Sequence, residues 1–125
     1  FVVPDSGAEL IGKSIRAIAA TGGTSFLTVL KRFGVGNQSP LSFPIQGWTL
    51  ALDIPARIDG LEQVLDKLDE RVAEAGGRVY LSKDARLRPE LLATMYPRLS
   101  QWQETRRTLD PQGIFRSDLA VRLDI

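Results

Sequence analysis

Two apolar runs with alternating polarity, residues 25–33 and residues 48–54, predict neighbouring strands joined by a loop rich in glycine, asparagine and proline. Successive side chains of a strand point to opposite faces, so each run presents two sets of residues. The small, mostly polar set of the second run is Thr49, Ala51 and Asp53. One alternating set of the first run is Leu27, Val29, Lys31 and Phe33. A cation, an aromatic ring and small polar groups could therefore share one face of a sheet, as the floor of a ligand site does.

Two amphipathic helices are predicted from apolar residues spaced three and four apart. The first begins at a capping box, in which Ser6 is the cap and Glu9 reaches back, and it ends at residues 22–23, both glycine. The second begins after the capping residue Asp59 and ends at residues 76–77, again both glycine. The two apolar stripes are Leu10, Ile11, Ile15, Ile18 and Ala19, and Leu61, Val64, Leu65, Leu68 and Val72.

Residues 1–4 look like the end of a strand, and residues 78–81 look like a further short strand. Residues 1–81 then follow the order β-α-β-β-α-β, which is the order of a ferredoxin-like unit. In that arrangement both helices cover one face of the sheet and leave the other face free. The predicted fold class is α+β.

The remaining segment is predicted to be helical. Pro89 suits the first turn of a helix that runs to about Tyr96, and Pro97 can open the next. Residues 110–113 form a strong turn signal, and residues 117–123 predict a last short helix. This segment has no sheet of its own, so we expect it to pack either on the first unit or on a partner domain.

Composition narrows the chemistry. The chain has 125 residues, of which 43% are hydrophobic and 25% charged, and its formal net charge is +1. These values are typical of one globular domain and predict no bulk attraction to nucleic acid. Cysteine and histidine are both absent, which excludes disulfides, thiol chemistry and histidine-based hydrolase triads, and no metal site is predicted. No apolar run approaches the ~20 residues of a membrane-spanning helix.

The sequence begins at Phe1 without a methionine, in what looks like a strand already in progress. We therefore expect a fragment of a longer protein, whose targeting signals and other active-site parts lie upstream.

Two lysines are candidates for ligand chemistry. Lys31 could hold an anionic or hydroxyl-rich ligand on the open face, with Asp53 within cross-strand reach. The alternative is a surface lysine that lies along an apolar stem. Lys83 follows the last predicted strand and could stabilise developing negative charge, with Tyr80 beside a ring system. The alternative is a solvated lysine next to Asp84.

Several segments carry a family resemblance: SFLTVLKRFG, NQSPLSFPIQGW, GGRVYLSKDAR, MYPRL and RRTLDPQGIFRSDLAVRL. The chain resembles the C-terminal part of decaprenylphosphoryl-ribose oxidase-like FAD-dependent oxidoreductases, in the vanillyl-alcohol oxidase and sugar-lactone oxidase family. The resemblance implies that residues 1–77 are the latter part of a substrate (cap) domain. It also implies that residues 78–125 return to the FAD domain, whose N-terminal part the sequence lacks.

The resemblance also implies roles for individual residues. Lys83 matches a catalytic lysine beside the flavin and the substrate hydroxyl, and Tyr80 matches a residue that contacts FAD. Lys31 and Phe33 match positions that line the substrate pocket. Thr49 and Ala51 stand where the best-known members carry asparagine and cysteine, which implies an altered pocket.

The resulting hypothesis is the C-terminal piece of an FAD-dependent enzyme that oxidises a hydroxyl of a sugar or a polyprenyl-phosphate sugar to a ketone. The resemblance favours a bacterial protein of the cytoplasm or membrane surface, and an epimerase function would need a separate reductase partner. Isolated, the fragment is expected neither to hold FAD tightly nor to turn over. The rival hypothesis is a non-catalytic ferredoxin-like module that binds a small ligand or a protein through its open sheet face.

Overall fold

A computed structural model describes all residues 1–125 and has five α-helices and three β-strands. The elements in chain order are β1 (Val2–Pro4), α1 (Glu9–Ala19), β2 (Leu27–Phe33), β3 (Gly47–Asp53), α2 (Leu61–Glu74), α3 (Pro89–Met95), α4 (Leu99–Leu109) and α5 (Asp118–Leu123). Short 3-10 turns lie at Asp5–Gly7 and Leu81–Lys83. The predicted α+β class is confirmed. None of the helices combines the length and apolar character needed to cross a lipid bilayer.

The sheet is antiparallel and its strand order is β1-β3-β2. The fourth strand predicted at residues 78–81 is not formed. It is reduced to a single bridge, in which Val2 and Arg78 exchange two backbone hydrogen bonds of 2.8 and 2.9 Å. The chain then turns into the Leu81–Lys83 helical turn, which cannot continue a ladder. With that bridge beside β1, the order is still that of a ferredoxin-like sheet.

The predicted capping box at the start of α1 is wrong. Ser6 lies in the preceding 3-10 turn, and Ala8 is the N-cap, without a side-chain bond. Glu9 instead pairs with Lys13 one turn later, at 2.7 Å. The stop of α2 is as predicted, because Gly76 takes the left-handed φ of +71° that suits a residue just after a helix. The N-cap of α2 is Gly60, one residue after Asp59.

Two apolar clusters hold the fold together. The smaller one lies between α1, α2 and β3, with Ile18, Leu61 and Leu68 at its centre and Leu52 and Ile54 packed against it. The larger cluster consists of Val3, Leu10, Val72, Ala73, Leu87, Leu92, Met95, Tyr96 and Leu123. It joins residues from β1, α1 and α2 to residues from α3 and α5. Of the two packing alternatives for the C-terminal segment, the structure therefore shows packing on the first unit.

Candidate functional site

The sheet has a face turned away from α1 and α2. Leu52 and Ile54 of the β3 region pack against the helices. Because neighbouring side chains alternate, Thr49, Ala51 and Asp53 lie on the opposite face. This face, together with the residues that extend it, is called the open face below.

The strand register sets which predicted residues meet on the open face. Lys31 lies directly opposite Thr49, and Val29 lies directly opposite Ala51. Directly paired residues of antiparallel strands share a face, so Lys31 and Phe33 lie on the same side as Thr49 and Ala51. Asp53 is opposite Leu27, at the far end of the pair, and makes no ion pair with Lys31. The expected cross-strand partnership of Lys31 and Asp53 is therefore wrong.

Lys31 and Thr49 differ in what they can offer a ligand. The Thr49 hydroxyl donates a 2.9 Å hydrogen bond to the Phe1 carbonyl, and the residue is only 8% exposed. Its proton is thereby used within the protein. The Lys31 side chain is exposed and has no carboxylate partner. Lys31 is therefore the charged donor of this pair that remains available.

A row of three aromatic rings extends the open face beyond the strands. Phe33, at the end of β2, meets Phe43 edge to face, with ring centroids 5.8 Å apart. Phe43 in turn packs on Tyr80, with centroids 4.7 Å apart and planes tilted by 34°. Sequence reasoning missed Phe43, because it lies in the irregular loop between β2 and β3, where no periodicity marks it. Its position between Pro40 and Pro44 was the available signal.

The loop that carries Phe43 is tied to the rest of the protein. The Arg78 guanidinium donates to the Ser42 carbonyl, and it also lies 5.4 Å from the centre of the Tyr96 ring. Burial lowers the pKa of Arg78. Arg98 donates to the carbonyl of Gln38 in the same loop. These contacts fix the backbone on both sides of Phe43.

Lys83 lies three residues after Tyr80, at the end of the Leu81–Lys83 turn. Its side chain is exposed and forms no ion pair. The adjacent Asp84 does not neutralise it, because the Asp84 carboxylate binds Arg122 at 2.6 Å and is only 3% exposed. The exposed, unpaired side chain is consistent both with a ligand contact and with the alternative of a solvated lysine next to Asp84. The aromatic row lies between the segment that carries Lys31 and the segment that carries Lys83.

Tyr80 also borders an apolar cavity of about 430 Å³ on the C-terminal side. The cavity is lined mainly by hydrophobic residues, namely Leu41, Tyr80, Leu81, Ser82, Tyr96, Trp102, Ser117, Leu119, Ala120 and Ile125. Tyr80 is 40% exposed, so part of its ring is free to meet a ligand. A larger depression of about 650 Å³ lies between the start of α1 and the end of α2. It is lined mainly by polar residues and contains none of the predicted site residues, whereas the smaller cavity includes Tyr80.

The arrangement combines two unpaired ammonium groups, a row of aromatic rings and a small, weakly polar strand surface. Such a surface can hold a ligand that carries hydroxyl or anionic groups and can contact a planar ring. It contains no histidine or cysteine, so any proton transfer on it would depend on lysine, tyrosine or carboxylate groups.

Comparison with known proteins adds a family. Residues 56–123 match the D-arabinono-1,4-lactone oxidase family. The whole chain is 47% identical to a decaprenylphosphoryl-beta-D-ribose oxidase of Mycolicibacterium smegmatis, of which it covers 27%. Over 117 residues it is 52% identical to an uncharacterised protein in the mprA 5′ region of Streptomyces coelicolor, of which it covers 32%. The chain thus spans about a third or less of the length of these relatives, and the match to the oxidase falls in its C-terminal part.

Proposed function

The chain belongs to the D-arabinono-1,4-lactone oxidase family, and from that premise we propose that it is the C-terminal part of an FAD-dependent oxidoreductase. The proposed reaction is oxidation of a hydroxyl of a sugar or of a lipid-linked sugar to a ketone. The observation that carries the proposal is the continuous surface on which Lys31 opposes Thr49 and the Phe33–Phe43–Tyr80 row leads towards Lys83.

Tyr80 and Lys83 are the residues that we propose to contact FAD. The fit rests on three properties of this part of the chain. The Tyr80 ring is partly free, it borders an apolar cavity, and the nearby Lys83 has no carboxylate partner. A planar ring system that gains negative charge would find an aromatic contact and an uncompensated cation there. Bound against Tyr80 and Lys83, FAD would supply the two-electron oxidant for the hydroxyl-bearing carbon of the substrate.

The other site residues would shape the substrate pocket. Lys31 would donate to a hydroxyl or phosphate oxygen of the substrate, and Phe33 would offer an apolar ring to the sugar. The short side chains of Thr49 and Ala51 leave the floor of the pocket low, which suits a bulky substrate. Lys83 would hold positive charge close to the reacting oxygen, which lowers the cost of losing the hydroxyl proton.

The substrate class and the partners follow from the relatives and are proposals for this protein. The family is named for a sugar lactone, and the Mycolicibacterium smegmatis relative is named for a decaprenylphosphoryl ribose. The substrate that we propose is therefore a small sugar or a polyprenyl-phosphate sugar. A keto product would need a separate reductase partner if the overall reaction is an epimerisation. The remaining FAD contacts would come from an N-terminal region, because the chain covers only 27% and 32% of the two relatives.

We also propose a division of roles near residue 77. Residues 1–77 would supply the substrate side of the site, and residues 78–125 would supply the FAD side. The two parts share the larger apolar cluster, so the proposed boundary separates functions within one packed body.

The test is to express the complete reading frame that contains this chain and to record its visible absorption spectrum. We expect a flavin spectrum that bleaches when a sugar substrate is added without oxygen. Lys83→Ala should slow this bleaching by at least about a hundredfold, the usual cost of removing one group that stabilises developing charge. Lys67→Ala, on the exposed face of α2, is the control. An unchanged bleaching rate for Lys83→Ala would remove the proposed role.

The protein made from the complete reading frame also distinguishes the rival function, a binding module without catalysis. A complete protein without flavin, or a reading frame that begins near Phe1, would favour the module. Titration of the 125-residue chain with FAD gives a second separation. Binding tighter than micromolar by this chain alone would contradict the proposal that most FAD contacts lie elsewhere.

A further inference from the structure

The turn that carries Lys83 is held from its N-terminal side by backbone bonds. The Lys83 amide donates to the Tyr80 carbonyl at 3.0 Å, and the Asp84 amide donates to the Leu81 carbonyl at 3.2 Å. Just before the turn, the Tyr96 hydroxyl donates to the Val79 carbonyl at 2.7 Å. This side of the turn is therefore fixed to Tyr96, the residue that follows α3.

The other side of the turn is held by one buried carboxylate. Oδ1 of Asp84 accepts the backbone N–H groups of Arg86 at 3.0 Å and Leu87 at 2.8 Å. Oδ2 accepts from the Arg122 guanidinium at 2.6 Å, and the side chain is only 3% exposed. Both carboxylate oxygens are thus used, and the residue directly after Lys83 is immobilised.

Arg122 closes this arrangement from the last helix. Besides Asp84, its guanidinium donates to the Leu87 carbonyl at 2.6 Å. Its neighbour Leu123 is buried in the larger apolar cluster, which anchors α5. The fork of Arg122 therefore links α5 to both ends of residues 84–87, a geometry that a lysine cannot reproduce.

We propose that Asp84 and Arg122 are positioning residues for Lys83. The inference rests on the proposed catalytic role of Lys83. Arg122 neutralises Asp84, which would otherwise attract the Lys83 ammonium, and it fixes the backbone from which Lys83 projects. Arg122 would then influence the reaction through Lys83 and not through a contact of its own with substrate or cofactor.

The first test needs no activity. Amide hydrogen exchange is measured on the protein made from the complete reading frame, for the Lys83–Leu87 segment and for the core amides of β3. We expect Arg122→Gln to speed exchange in this segment by at least about tenfold while β3 is unchanged. Arg88→Gln, which breaks the exposed ion pair of Arg88 with Glu70, is the matched control and should change neither. If Arg122→Gln does not fold, Arg122→Lys takes its place.

Two exchange results would overturn the proposal. One is an unchanged exchange rate of the Lys83–Leu87 amides in the Arg122→Gln variant. The other is an equal rise at all amides, which would mean that Arg122 contributes only to global stability.

The second test uses the flavoprotein made from the complete reading frame. Arg122→Gln should lower the rate of flavin reduction about tenfold or more with little change in the substrate concentration for half-saturation. The double variant Lys83→Ala/Arg122→Gln should be no slower than Lys83→Ala, because Arg122 acts through Lys83. Multiplying defects would overturn the proposal. If Lys83→Ala itself has no effect, the proposed function fails, and the exchange result still decides whether Arg122 and Asp84 hold the Lys83–Leu87 segment in place.

Discussion

Lys31 and Thr49 face each other directly across the antiparallel pair of β2 and β3, on the open face of the sheet. The Thr49 hydroxyl proton is used in the bond to the Phe1 carbonyl, whereas the Lys31 ammonium has no carboxylate partner. A ligand on this part of the face would therefore meet one cation and a small side chain that no longer offers a proton.

The first prediction concerns the Lys31 ammonium in the protein made from the complete reading frame. Lys31→Met should raise the substrate KM by about 10- to 100-fold, since a hydrogen bond to a charged group contributes roughly 1.5–3 kcal/mol. The maximal rate of flavin reduction should change much less. Arg32→Met is the control, because Arg32 is on the opposite side of the strand, where it binds Asp5 and lies over Trp48. Equal effects of both substitutions on KM would show that Lys31 has no specific role in substrate binding.

The second prediction concerns Phe43, which contacts both Phe33 and Tyr80. Phe43→Ala should lower the free energy of unfolding by about 1–3 kcal/mol, less than for a core phenylalanine because the ring is only half-buried. It should also weaken the near-ultraviolet circular dichroism of the aromatic row. Phe26→Ala is the control, because Phe26 is 85% exposed and should contribute little. A folded Phe43→Ala protein with an unchanged near-ultraviolet signal would contradict the packing of Phe43 between Phe33 and Tyr80.

Much of the fold could be predicted because it depends on local patterns. The alternation in residues 25–33 and 48–54 identified β2 and β3 and the face that they share. Pro89 marked the start of α3, and Ser117 caps α5 through a 3.1 Å bond from the Ala120 amide. Each of these features is decided by neighbours within a few residues.

The errors and omissions concern residues whose conformation depends on distant contacts. Residues 78–81 have a strand-like sequence, but only Arg78 finds a ladder partner before the chain turns. Phe43 lies in a loop that is fixed by Arg78 and Arg98, from two later parts of the chain. The Asp84–Arg122 bond joins residues 38 positions apart. No periodicity in the sequence announces such pairs.

The third prediction concerns Gly77, where the backbone passes close to β1. A Cβ atom there would clash with the Val2 carbonyl and would come within 2.9 Å of methyl carbons of Val3 and Val72. Gly77→Ala should therefore lower the free energy of unfolding by about 1–3 kcal/mol or more, as overpacking of a core does. Gly34→Ala meets nothing within 4 Å and should change it by less than about 0.5 kcal/mol. Urea denaturation of both variants checks the prediction, and equal stabilities would contradict the close approach.

The last prediction concerns the pH dependence of stability at Asp69. Burial raises the pKa of Asp69 to about 6, with Asp84 and Asp66 adding to the rise and Arg86, bound at 2.6 Å, opposing it. The ordinary pKa of about 4 applies in the unfolded chain, so folding favours the protonated carboxyl. The contribution of Asp69 is thus fully present below about pH 4 and is lost as the pH rises through about 6.

Urea denaturation between pH 4 and 7 would measure this change against Asp69→Asn, which cannot titrate. The difference in free energy of unfolding, protein minus variant, should fall by up to about 3 kcal/mol across this range. Asp59→Asn, on an exposed side chain without an ion pair, is the control and should leave the slope of the unsubstituted protein in place. A difference that stays flat or rises with pH would mean that Arg86 outweighs burial at Asp69. The contact of α2 with the Lys83–Leu87 region would then be strongest at neutral pH.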